Sequence, residues 1–317
     1  MLELRADPWA PDHGMGFEAR LEEPPARVDP TVETEDWSRP RRPPPAGAGP
    51  VWFVDGVRRV ELRLLVFEDG RRSFGLFGSV AAGAVRAGAR ATFERVVVRR
   101  LLVTGAGLGR SGPVCVQVGG AVVGFEPVSD PGDAPDDPLL RLQKEMQRAE
   151  LDLALEVASG DELVLADGPW RSQRPTPAPV VGIVKRWSRE YLEPRHEALV
   201  AALGPGERTP LFALAEPDAD FERYAWYVRL VPVRPAWHDR AGVVRCETRA
   251  GIGLDRAVEL ADRVSGLLPS FAGRPSDPRA PQNLAPVGAL EAWLQHRLGH
   301  RGLIRRALTA WLVEQGG

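Results

Sequence analysis

Two apolar stretches of this chain run into the same dipeptide: Val51-Trp52-Phe53-Val54 meets Asp55-Gly56, and Leu163-Val164-Leu165-Ala166 meets Asp167-Gly168. Each reads as a buried strand with a carboxylate at its end, where a side chain leaves the core yet stays fixed to a rigid scaffold. Asp-Gly is also a common turn dipeptide, so neither pair alone specifies chemistry. A third acid raises the odds. At about 100° per residue, Leu139, Leu142, Met146, Ala149, Leu153 and Val157 form one apolar stripe with Glu150 at its edge. Glu145 and Glu156 lie further round, toward solvent. A carboxylate on a core-facing stripe needs a partner, because an unpaired buried charge is costly or becomes protonated. An arginine would serve, as would a divalent cation shared with Asp55 and Asp167. Glu291 repeats the pattern, at the edge of a face formed by Val287, Leu290, Leu294 and Leu298. Lys185 follows Val180-Val181-Gly182-Ile183-Val184, and a compact ammonium at a strand end can meet a phosphate. Arg245 and Glu247 share one strand face and read as a bridged pair as readily as a site.

These side chains need a frame. The first fifty residues, rich in Pro, Glu, Asp and Arg, predict an extended arm anchored by Trp9, Phe17 and Trp37. From Val51 the pattern turns to β. Val60 to Phe67 predicts a partner strand turned by Glu68-Asp69-Gly70, and further strands are predicted over Phe93–Val103 and within Val114–Phe125. Short strands are predicted at Glu162–Ala166, Val180–Lys185, near Leu211, at Tyr224–Val231 and at Gly242–Thr248. Helices are predicted over Leu139–Ala158, Ser188–Leu203, Leu254–Leu267, Val287–Leu298 and Leu303–Val313. The order, β-rich first and mixed later, implies an α/β fold: a mixed sheet flanked by helices, with a β-rich insertion and C-terminal helices. The boundaries are an arm over 1–50 and one domain over 51–317.

Composition bounds the function. The chain has 317 residues, 44% of them hydrophobic, which excludes disorder throughout. Two cysteines, Cys115 and Cys246, are too few for a disulfide framework or a thiolate zinc site. No signal peptide or uninterrupted apolar span is evident, so a cytoplasmic protein without membrane contact is expected. The net charge of −2 argues against a dedicated nucleic-acid binder until it is read locally. Between residues 70 and 125 eight arginines face one acid, Glu94. Such a basic lobe beside an acidic metal-type cluster suits a polyanionic substrate, and Arg71, Arg72, Arg95, Arg99 and Arg110 are its candidate contacts.

Two motifs fail. Gly107-Leu108-Gly109-Arg110-Ser111-Gly112 matches G-x-G-x-x-G, but Pro113 and the β-branched run after it stand where a dinucleotide-binding helix must begin. The five histidines, His13, His196, His238, His296 and His300, lack metalloprotease spacing.

In combination, several segments resemble the NurA family of DNA-end-processing nucleases. They are Phe53-Val54-Asp55-Gly56, Met146 to Glu150, Leu163 to Pro169, Val180 to Lys185, Tyr227-Val228-Arg229-Leu230 and Arg245-Cys246-Glu247, in the family's order. The resemblance implies an RNase H-like core and a homodimer. It also implies a manganese-dependent 5′–3′ exonuclease and single-strand endonuclease, acting in recombinational end resection with a hexameric HerA-type ATPase. Asp55, Glu150 and Asp167 match the family's acidic ligands, and Arg229 joins the candidate DNA contacts. The C-terminal motif departs from the archaeal pattern, with Asn283 at the usual tyrosine and Glu291 at the usual acid or histidine, as in a bacterial branch. Mechanistically, Asp55, Glu150, Asp167 and Glu291 would hold two Mn²⁺ ions, with Mg²⁺ as the alternative, about 4 Å apart. Lys185 would offset charge developing on the phosphoryl group. Two other readings stay open: a non-catalytic DNA-binding or ATPase-docking subunit, and a structure-selective endonuclease of another RNase H-like family.

Overall fold

The computed structural model describes residues 2–7, 25–45, 49–186, 189–215, 222–274 and 281–315. Its strands are β1 (Glu3–Ala6), β2 (Arg27–Asp29), β3 (Val51–Glu68), β4 (Arg71–Ala87), β5 (Ala91–Thr104), β6 (Val114–Val118), β7 (Ala121–Ser129), β8 (Val164–Asp167), β9 (Val180–Val184), β10 (Phe212–Ala215), β11 (Glu222–Arg229) and β12 (Val243–Arg249). The helices are α1 (Asp137–Val157), α2 (Pro194–Ala202), α3 (Leu254–Leu267), α4 (Ala285–Arg297) and α5 (Arg301–Gln315). The strands form a mixed sheet in the order β2-β10-β11-β12-β9-β8-β3-β4-β5-β7-β6, with β1 added to β3. The expected α/β class, with its mixed sheet and C-terminal helices, is what the chain adopts.

The β-rich half differs from the sequence expectation in one respect that matters for function. Val51–Val54 and Val60–Phe67 are not two strands joined at Asp55-Gly56. They are one strand, β3, which passes straight through the dipeptide and pairs with β4 along its whole length. The turn falls later, at Asp69 and Gly70, both with positive φ (49° and 79°), as a tight two-residue hairpin requires. At Asp167-Gly168 the expected strand end is real: Gly168 has φ 87° and the chain leaves the sheet.

Side-chain alternation along β3 and β4 gives the sheet two differently covered faces. Phe53, Val57, Ala81 and Val85 pack with Val287, Leu290 and Leu294 of α4, with Leu298 just after it and with α3. Val54, Ala82 and Ala84 pack with Leu153 and Ala154 of α1, and Leu76 and Val80 with its Leu139, Leu142 and Met146. The C-terminal end of α4 is pinned from the sheet. Arg59 donates to the carbonyls of Leu298 and Gly299, each at 3.0 Å, and Arg100 donates to Leu298 at 3.1 Å. These cations satisfy helix carbonyls that have no intrahelical donor.

The N-terminal arm is partly structured by pairing. β1 runs antiparallel to Leu64–Phe67, and β2 extends the far edge beyond β10. Trp37 is buried against His196 and Phe212, and Glu33 holds Arg208 in a buried ion pair at 2.8 Å. Trp9 and Phe17, the other expected anchors, lie outside the described residues. No helix among the described residues is long and apolar enough to cross a membrane.

Candidate metal centre and adjoining groove

β8 is only four residues long, and it pairs with β3 only over Trp52–Val54. β1 rejoins the same edge at Leu64. Among the described residues no strand covers that edge of β3 between Asp55 and Arg63. The chemistry-bearing residues gather where this gap begins.

Asp55 has the same strand parity as Phe53 and Val57, so it faces α4. Asp167 pairs in register with Ile183, which belongs to the same packed face. α4 brings Glu291 from above. One carboxylate oxygen from each of Asp55, Asp167 and Glu291 lies within 4.8 Å of the others. Glu150 reaches the site from the opposite face, on α1, where it lies against Gly56. A Cβ built on Gly56 would overlap three Glu150 side-chain atoms, with Cγ at 2.8 Å and Cδ at 2.9 Å. Three of the four expected acids therefore form the tight cluster, and Glu150 stands at its margin.

The electrostatics follow from this crowding. Asp55 is buried, with its Oδ1 accepting from the Gly56 N–H at 2.8 Å and its Oδ2 left without a hydrogen-bond partner. Burial first, then the Asp167 and Glu150 charges, raise its pKa well above the usual carboxylate range. Burial and the Asp167 charge push Glu150 up to about 8. Lys185 opposes both shifts, and its Nζ pairs with Asp167 Oδ1 at 2.8 Å. The lysine expected to meet phosphate thus already has a carboxylate partner within the site.

An open groove of about 690 Å³ leads away from the cluster along the uncovered edge of β3. α1 lines it with Gln143 and Met146, α4 with Gly288, Glu291, Ala292 and Gln295, and β3 with Gly56, Val57 and Arg58. Sequence periodicity alone did not indicate Arg58, Gln143 or Gln295. Each is an ordinary polar residue on an amphipathic element, and only the gap between β8 and β1 makes the edge they surround accessible.

A sequence model of the NurA domain matches residues 51–287. The chain belongs to the NurA family. No curated protein matches it. Among solved structures, the NurA nuclease from Sulfolobus solfataricus is similar, with 13% identity, a TM-score of 0.47, and coverage of 87% of this chain and 88% of that one. By its family match the chain carries a NurA-family nuclease domain, a phosphodiester hydrolase by class, with an acidic cluster able to take a metal ion.

Within this NurA-family chain the expected DNA contacts divide. Arg229 is a correction. It is 1% exposed and donates to the carbonyls of Ala201, Leu203, Asp239 and Ala241, so it is an internal clamp, out of reach of a ligand. The arginine-rich lobe is also less bare than its composition implies, since acids from outside the lobe approach it. Arg86 pairs with Glu162, Arg95 with Glu156 at 3.2 Å, and Arg99 with Glu145 at 2.7 Å and Glu126 at 3.3 Å. Arg110 lies over the Trp311 ring at 5.7 Å, and Arg71 donates to Ala106 at 2.9 Å. Arg72 is exposed. Arg245 and Glu247 are the buried bridged pair, at 2.8 Å, with Arg223 against the same carboxylate at 3.3 Å. Asn283 is buried just before α4.

Proposed function

We propose that this chain is a metal-dependent DNA nuclease that hydrolyses phosphodiester bonds at DNA ends and on single strands, as a 5′–3′ exonuclease and single-strand endonuclease. The observation carrying the reading is the convergence of Asp55, Asp167 and Glu291 from three elements to within 4.8 Å, beside an open groove. An all-oxygen donor set suits a hard divalent cation. The buried Asp55 Oδ2, which has no hydrogen-bond partner, is the kind of atom such a cation would satisfy. Asp55, Asp167 and Glu291 would hold Mn²⁺, with Mg²⁺ as the alternative, and Glu150 at the margin would complete a second site. When bound, such ions lower the pKa of coordinated water and offset negative charge on the phosphoryl group. Lys185 fixes Asp167 through its ion pair and adds a positive charge next to the phosphoryl position. The groove admits the strand to this point, and α1 and α4 hold its two walls.

The family supports two partners: a second copy of the chain and a HerA-type hexameric ATPase in recombinational end resection. A strand edge left uncovered among the described residues supports the first. β7 pairs with β5 only from Leu101 onward, leaving Phe93, Val96, Val97 and Val98 exposed, and long apolar edges are normally covered. Light scattering of Val97→Lys against wild type tests it, with an unchanged mass refuting this interface.

The main experiment measures degradation of end-labelled single- and double-stranded DNA with Mn²⁺ or Mg²⁺, with and without the ATPase. It compares wild type with Asp55→Asn and Asp167→Asn. Both variants should lose turnover while staying folded. Unchanged turnover in both removes the metal-site reading and favours the DNA-binding or docking alternative.

A further inference from the structure

Of the described residues lining the groove, one is a cation. Arg58 lies three residues along β3 from Asp55, about 10 Å at roughly 3.3 Å per residue, on the stretch whose edge away from β4 is covered by no described strand. The other lining residues are glycine, apolar side chains, two amides and Glu291. Resting on the nuclease reading above, we propose that Arg58 is a phosphate-binding residue for the strand being cut. It would engage a backbone phosphate next to the scissile one and so register the strand on the metal centre.

Three observations support this. The Arg58 Nε donates to the Gln143 side-chain oxygen on α1, so the guanidinium plane is oriented by the groove wall instead of sweeping through solvent. A planar, pre-oriented guanidinium loses less freedom on gripping a phosphate than a flexible surface arginine does. The groove also begins at an acidic cluster, which by itself repels a polyanion. A cation further along the same path gives the strand a favourable contact before it reaches the acids. None of the arginines of the 70–125 lobe is among the described residues lining the groove, so they do not supply this contact. The amides Gln143 and Gln295, on opposite walls, can hydrogen-bond phosphate or base without adding charge.

Arg58 is a positioning residue, and its signature is a separation of binding from chemistry. Binding of a fluorescent oligonucleotide would be measured by anisotropy in Ca²⁺, and steady-state cleavage in Mn²⁺, for wild type, Arg58→Ala and Arg58→Lys. Arg58→Ala should raise Kd and KM about tenfold or more, the scale of a charge-assisted hydrogen bond, with a much smaller change in kcat. Arg58→Lys should recover part of the loss. A single methylphosphonate, which removes one phosphate charge, is then walked along the oligonucleotide. At one position beside the cut it should weaken wild-type binding and have no further effect on Arg58→Ala. Equal sensitivity of both proteins at every position overturns the proposal, as does an unchanged Kd in a folded Arg58→Ala. A wild type that binds the strand in Ca²⁺ but never cuts it overturns the nuclease reading alone, and the anisotropy comparison still decides Arg58.

Discussion

Replacing Gly56 by alanine separates the role of this glycine from a general need for flexibility. The residue sits within a long strand with no left-handed backbone conformation, so alanine is locally acceptable and should even be favoured, by about 0.5–1 kcal/mol over glycine in a strand interior. What opposes it is Glu150. The three atoms nearest to an added Cβ all belong to that side chain, all closer than 3.0 Å. Overpacking of this kind costs about 1–3 kcal/mol. The Glu150 side chain would have to swing, giving up its contact with the Gly56 N–H, and its carboxylate would leave the margin of the acidic cluster. Thermal unfolding would be followed for wild type, Gly56→Ala, Glu150→Ala and the double variant, with and without Mn²⁺. In the metal-free protein Gly56→Ala should lower stability when Glu150 is present and raise it slightly when Glu150 is alanine, so the effect reverses sign across the cycle. With Mn²⁺, the single variant should lose part of the metal-induced gain in Tm even though no ligand has been mutated. A destabilisation of the same size in both backgrounds would refute the reasoning, because the glycine would then be serving the backbone and not the carboxylate.

Two further outcomes follow from the same geometry. Because Asp55 and Glu150 bind protons more readily in the folded than in the unfolded chain, the metal-free protein should lose stability as pH rises from about 4.3, the unfolded Glu value, to about 8. The slope should flatten in Glu150→Gln and the Tm gain from Mn²⁺ should be larger at pH 8 than at pH 5; a slope indifferent to Glu150→Gln in thermal melts at several pH values removes this account. Arg229→Ala strands four carbonyl acceptors, so it should destabilise by about 3 kcal/mol or more, at about 1–3 kcal/mol for each buried acceptor left without a donor; a well-folded variant with selectively weakened DNA binding would restore Arg229 as a contact.

Most of the elements were legible because their periodicities are strong: the stripe of α1, the face of α4 and the apolar β8 and β9 all lie close to where hydrophobic spacing puts them. The acids were legible for a related reason. Glu150 and Glu291 interrupt apolar stripes, and a carboxylate retained there signals a partner. Asp55 was found through a wrong intermediate. Asp-Gly was read as a turn ending a strand, whereas glycine is there because Glu150 occupies the space a Cβ needs, and that close approach links residues 94 positions apart in sequence. No local pattern encodes it. Arg229 failed for the opposite reason. It was named through the family-like segment Tyr227 to Leu230 and not from its surroundings, and its guanidinium is surrounded by carbonyls from Ala201, Leu203, Asp239 and Ala241, two of them more than 20 residues away.

The site owes its accessibility to what the sheet omits. A sheet with β8 continued alongside β3 past Asp55 would pair the edge of Gly56, Val57 and Arg58 and close the groove. β8 stops at Asp167 because Gly168, with φ 87°, turns the chain out of the sheet, and Gly182 lets that chain fold back closely: a Cβ there would meet the Gly168 carbonyl at 2.7 Å and the Trp170 backbone nitrogen at 2.5 Å. One glycine thus ends the strand just after it has delivered its carboxylate, and another makes room for the exit. The gap so created lies between two helices on opposite faces, one carrying Glu150 and the other Glu291, so ligands can approach from both sides of a single strand edge. The net charge of −2 is then no argument against a polyanion. Acids are concentrated where a cation can neutralise them, and Arg86, Arg95 and Arg99 of the lobe meet acids from outside it. A strand entering the groove would meet the charge of the residues lining it, and among the described ones Arg58 is the cation.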